Sequence, residues 1–133
     1  MIRSIACLLS IISLTFALEN DGDSLVMEGV RAFYNYEFEQ SINTLNRARS
    51  QYPDHPGVHF IWSSAKYYVS QGIDPIHATY DTLDNSLAKI EPVYNRFVRE
   101  HPENNEYRLY LGSTRGLRAR SSLGNKDWLS VCL

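Results

Sequence analysis

Several residue groups in this 133-residue chain have types and spacings that suit chemistry. His55 and His59 stand four apart, the separation that sets two metal ligands on one face of a helix. No third ligand accompanies them, and a loop histidine followed by a helix-start histidine beside Pro56 explains the pair as well. Asp81 and Asp84, three apart, have the spacing of paired carboxylates for acid–base work. The same spacing describes the solvated side of a helix whose other side is Tyr80, Leu83 and Leu87. Arg108, Arg115 and Arg118 recur at steps of seven and three and share one helix face. Guanidinium forks there suit an anion or a carboxylate, whether on a ligand or on a neighbouring helix. Asn20-Asp21-Gly22-Asp23 lacks the acid order and closing Glu of a calcium loop and reads as a capping turn. His77 and His101 fall at helix ends, and Cys132 has no base partner in view. With no Gly-x-Ser-x-Gly, P-loop or Gly-x-Gly-x-x-Gly sequence, the expectation is no catalytic residue, no metal and no cofactor.

The aromatic residues are the more informative set. The chain carries nine Tyr, five Phe and two Trp. Tyrosine pairs an apolar body with a polar tip, which suits interfaces as well as cores. Hydrophobic content of 44% and charged content of 21% argue for a globular fold rather than disorder. A net charge of −2 leaves no electrostatic footprint for nucleic acid.

Residues 1–17 read as a signal peptide. A basic start with Arg3 precedes an uncharged run rich in Ile and Leu, and Thr15 and Ala17 supply small residues ahead of an acidic stretch. The run is short for the ~30 Å hydrocarbon core, so export is the preferred reading and an uncleaved anchor the alternative. Cleavage leaves a domain over 18–133, one charge unit more negative, with Cys132 as its single cysteine and so no internal disulfide. Helix packing must then carry the stability.

Period and punctuation predict six helices. The first spans about 24–35, with Leu25, Gly29, Ala32 and Phe33 at helical spacing. The second spans 37–51, opened by Glu37 and Glu39, closed by Arg47 and Arg49, and stopped by Pro53. The third runs over 56–71, with Gly72 as its stop. Asp74-Pro75 opens a long fourth helix, whose stripe Tyr80, Leu83, Leu87, Ile90, Tyr94 and Phe97 continues for five turns and is bent at Pro92. The fifth covers 105–123, where Gly112 and Gly116 suggest a tight helix crossing. A sixth begins at Lys126 with Trp128, Leu129 and Cys132 near one face, and marks either a fragment or a tail that associates through Trp128 and Leu129.

The spacing Gly29 … Leu45 … Ala48 … Pro53, with Trp62-Ser63 ten residues on, returns 49 residues later as Tyr94 … Phe97 … Pro102 with Leu111-Gly112. A returning pattern of this kind means paired helices stacked on copies of themselves. The segment 36–56, with Phe38, Ser41, Ile42, Leu45, Ala48 and Pro53, resembles the tetratricopeptide repeat. Gly29 to Ser63 spans that family's 34-residue period. The next unit departs, since about four extra turns lengthen the fourth helix and Phe97 stands where a small residue is usual. The resemblance covers 24–124 and extends to small exported bacterial repeat proteins. It implies an all-α fold: antiparallel hairpins stacked as a short right-handed solenoid with one elongated helix.

In that family the first helix of each pair lines the concave surface. The resemblance therefore places Val26, Val30, Phe33 and Tyr34 there, followed by Phe60, Ser64, Tyr67 and Tyr68, then Leu109, Ser113 and Leu117. Phe33, Tyr34, Phe60, Tyr67 and Tyr68 would form an aromatic groove for a peptide or protein segment, unless the long fourth helix folds across and buries them. The expected role is an exported, periplasmic or extracellular adaptor. The alternative is a structural subunit of a larger envelope assembly with no free groove.

Overall fold

The structure, a computed structural model, describes residues 20–124. The signal-peptide reading of 1–17 and the sixth helix with Trp128, Leu129 and Cys132 lie outside the described residues. Those residues form five helices: α1 (Asp23–Tyr34), α2 (Phe38–Gln51), α3 (Val58–Ile73), α4 (Ile76–Glu100) and α5 (Asn105–Gly124). The fold is all-α, and no strand occurs among the described residues. None of these helices is long and apolar enough to cross a membrane.

Each boundary has a local cause. Gly22 enters α1 at φ 95, and the Asn20 backbone N–H donates to Asp23 Oδ2 at 2.8 Å, closing the capping turn. α1 ends in a Schellman arrangement: Tyr36 N–H donates to Phe33 O and Glu37 N–H to Ala32 O. Tyr36 holds the left-handed position that glycine usually takes, at φ 63. α3 runs through Gly72, the expected stop, and ends only at Asp74, whose backbone is extended. The cause is Pro75, which forces the preceding residue out of the helical region. α4 begins one residue after Pro75 and continues unbroken through Pro92. Pro92 and Ala88, whose carbonyl loses its intrahelical partner, are both exposed, so water can take that bond. Asn104 caps α5 by accepting the Glu106 N–H at 2.9 Å.

Consecutive helices are packed on one another, and α1 also touches α3. α1 and α2 approach closely at Gly29. A Cβ on Gly29 would lie 2.7 Å from Leu45 Cγ, and Ser41 Oγ donates to the Gly29 carbonyl at 2.8 Å. The α4 stripe delivers the core as its period demands, with Leu83, Leu87, Ile90, Tyr94 and Phe97 all buried. At 25 residues against 14 for α2, α4 gains about three turns rather than four.

Phe97 is buried at the centre of an aromatic cluster. Its ring centroid is 4.8 Å from Tyr107, and Tyr94 stacks on Tyr110 at 6.0 Å. The buried Tyr94 hydroxyl accepts the Phe60 N–H at 3.0 Å and donates to Pro56 O at 2.8 Å, so α4 caps the first turn of α3. Burial pushes the Tyr94 phenol well above its ordinary range. The tight crossing expected at Gly112 and Gly116 is absent: a Cβ at either would meet nothing within 4 Å. α5 packs instead through Tyr107, Leu111, Thr114 and Ser121.

Candidate functional site

α1 and α3 lie side by side and leave between them an apolar cleft of about 380 Å³. Val30, Phe33 and Tyr34 enter it from α1, and Phe60, Ser64 and Tyr68 from α3. Both trios recur at helical spacing, because a stripe one turn apart is what a helix presents to a single side. Tyr34 is 75% exposed and Tyr68 53%, so the cleft opens to solvent. No residue of α4 lines it. The long helix leaves Tyr34 and Tyr68 open to solvent.

Four of the five aromatics expected in a groove therefore meet here: Phe33, Tyr34, Phe60 and Tyr68. Tyr67 does not line the cleft. It is 7% exposed, sits in the buried stripe of α3 with Ser63 and Ser70, and accepts a hydrogen bond from Gln71 Nε2 at 2.9 Å. On α5, Leu109 is exposed but lies outside the cleft lining.

The ring cluster extends beyond those four residues. Phe33 lies 5.4 Å from Tyr68, 5.6 Å from Tyr34 and 5.7 Å from Phe38, and Phe38 lies 5.9 Å from Tyr36. The signal for this was the dense run Phe33-Tyr34-Asn35-Tyr36-Glu37-Phe38, where four aromatics flank one turn. Tyr36 is 80% exposed and held in a left-handed backbone that costs a non-glycine residue about 1–2 kcal/mol. Phe38 and Tyr36 also border a second, polar hollow of about 780 Å³, lined by Glu28 of α1 and by Glu37, Glu39 and Arg47.

The arginine face has its carboxylates within the molecule. Arg115 Nε donates to Glu91 Oε1 at 3.1 Å, and Arg118 Nη1 to Glu91 Oε2 at 2.6 Å. Arg118 also reaches Asp84 at 3.3 Å. The Arg118 hydrogen bond is the main cause that holds the Glu91 carboxyl below its usual range, and that same bond raises Arg118. Arg108 donates to Pro102 O and to Asn105 Oδ1, bracing the start of α5. These three residues tie α5 to α4 and to its own cap.

The histidine pair does not converge on a common point. His55 Nδ1 accepts the Gly57 N–H at 3.1 Å, which leaves its proton on Nε2, 2.6 Å from Asp23 Oδ1. His59 accepts from Arg49 Nε at 3.2 Å and donates from Nε2 to Pro53 O at 2.7 Å. Desolvation, more than any neighbouring charge, lowers the His59 pKa and keeps the ring neutral. Arg49 itself lies 3.7 Å above the Trp62 ring, and Trp62 Nε1 donates to Asn46 Oδ1 at 2.8 Å. This network stitches α2 to α3. His77 and His101 are exposed, and the His101 ring lies tilted against Tyr107 at 5.6 Å. No group of three or more His, Cys, Asp or Glu among the described residues is placed to hold a metal ion.

No protein-family model, curated protein or solved structure matches this chain.

Proposed function

We propose that this protein is a non-catalytic, tetratricopeptide-like adaptor, exported from the cytoplasm, that holds an apolar peptide or protein segment in the α1–α3 cleft. The observation that carries the reading is the open set of Phe33, Tyr34, Phe60 and Tyr68 on two adjacent helices. Exposed aromatics in such a cluster favour association, because a partner removes their surface from water. An aromatic side chain buries about 150–250 Å². Covering the exposed parts of Tyr34 and Tyr68 alone would contribute about 6 kcal/mol at ~25 cal/mol per Å², before the costs of ordering both partners are subtracted.

A photo-crosslinking amino acid at Tyr34 or Tyr68, in cells expressing the full chain, tests this reading. Discrete crosslinked polypeptides from both positions, absent when the group stands at Arg120 on α5, are expected. Identical patterns from all three positions would refute cleft-directed binding. Crosslinks only between copies of this chain would favour the structural-subunit alternative.

A further inference from the structure

We infer that the segment held by the α1–α3 cleft carries lysine or arginine within a few residues of a large apolar anchor. This inference rests on the cleft being the binding site and adds the chemistry of its occupant. Three features around the α1–α2 turn support it. First, the cleft and the polar hollow meet at that turn, since Phe33 lines one, Phe38 lines the other, and their rings are 5.7 Å apart. A chain anchored in the cleft and leaving past Tyr34 and Tyr36 therefore passes Glu37 and Glu39.

Second, the charge there is one-sided. Glu28, Glu37 and Glu39 line the hollow against Arg47 alone. Lys66, the one Lys or Arg of α3, is turned onto the Trp62 ring at 4.8 Å, away from this role. Arg31, in the last turn of α1, lines neither hollow. Third, the exposed side chains of Tyr34, Tyr36 and Tyr68 suit a cation as well as apolar surface, because the face of an aromatic ring is the negative pole of its quadrupole. Tyr36 is presented there from a backbone conformation that is unfavourable for tyrosine, and such outliers persist where something other than local stability holds them.

Three synthetic helix-forming peptides test the inference by titration calorimetry on the full chain. One carries Leu and Phe anchors four apart with two flanking lysines. The second has the same anchors with glutamates in place of the lysines. The third has the lysines and alanines for anchors. The anchored basic peptide is expected to bind about tenfold more tightly than the anchored acidic one at low ionic strength, a gap that closes in high salt. Glu37→Gln/Glu39→Gln should remove the gap while leaving the acidic peptide's affinity unchanged or improved. Tyr68→Ala should weaken both anchored peptides alike, with circular dichroism unchanged.

Equal affinity for the two anchored peptides would overturn the charge inference and leave the cleft reading standing. Failure of both anchored peptides to bind would overturn both. Tightest binding by the anchorless basic peptide would also overturn it, since the acids alone would then be acting. So would self-association abolished by Tyr68→Ala, because a second copy would then be the occupant.

Discussion

Gly29→Ala and Gly112→Ala should move stability in opposite directions, although both replace a mid-helix glycine. At Gly29 the added Cβ would stand 2.7 Å from Leu45 Cγ and 2.8 Å from Cδ2. Leu45 is fully buried, and the Gly29 carbonyl is held by Ser41, so neither α1 nor the leucine can retreat freely. Overpacking a filled core costs about 1–3 kcal/mol, and alanine's better helix propensity returns about 1 kcal/mol. The net loss is about 1 kcal/mol, a fall in Tm of roughly 4–8 °C for a domain of this size. At Gly112 nothing lies within 4 Å, so only the propensity term remains and Tm should rise by a similar amount. Thermal denaturation by circular dichroism, with urea unfolding as a second measure, separates the two. A rise in both variants would refute the close α1–α2 approach. A fall in both would mean that α5 has a neighbour at Gly112.

Other substitutions test other parts of the structure. Ser63 Oγ is buried with no hydrogen-bond partner, so Ser63→Ala should raise stability by about 1 kcal/mol, seen as a higher urea midpoint at unchanged slope. Tyr36→Gly relieves the left-handed strain and should stabilise by about 1 kcal/mol while weakening the anchored basic peptide; loss of stability would show that the ring's contact with Phe38 outweighs the strain. The pH profile should fall in two stages. His59 has a lowered folded pKa, so its contribution is complete above the ordinary histidine value of about 6.5 and is lost as pH falls from there through the folded value. Glu91 is likewise depressed, so its contribution holds above the ordinary carboxylate range and is lost further into acid. Urea unfolding across pH should show both stages, with His59→Gln flattening the first; a profile unchanged by that substitution would contradict the assignment.

The helices were legible because their signals are local. Pro53, Pro75 and the unbroken stripe from Leu83 to Phe97 fix boundaries and core without reference to the rest of the chain. Gly72 misled for a related reason: a glycine permits a helix to end, whereas Pro75 compels it. Gly112 and Gly116 have the spacing of a tight crossing, but that spacing is the same on a packed and on a solvated face. Tyr67 and Tyr68 differ by one residue and about 100° of helix rotation, which sends one into the core and leaves the other at the cleft. The arginines of α5 could be placed on one face from spacing alone. That Glu91 and Asp84 of α4 meet Arg115 and Arg118 is a tertiary fact, set by how the last two helices pack. The aromatic continuation through Phe38 and Tyr36 depends on a left-handed tyrosine, which no propensity argument would choose.

Aromatic ring chemical shifts, followed by NMR while the anchored basic peptide is added to the full chain, test the binding site most directly. The rings of Phe33, Tyr34, Phe60 and Tyr68 should shift together and saturate with one affinity, while Phe97 and Tyr107 in the core stay in place. Saturating shifts confined to other rings, with those four unmoved, would contradict partner binding in the α1–α3 cleft.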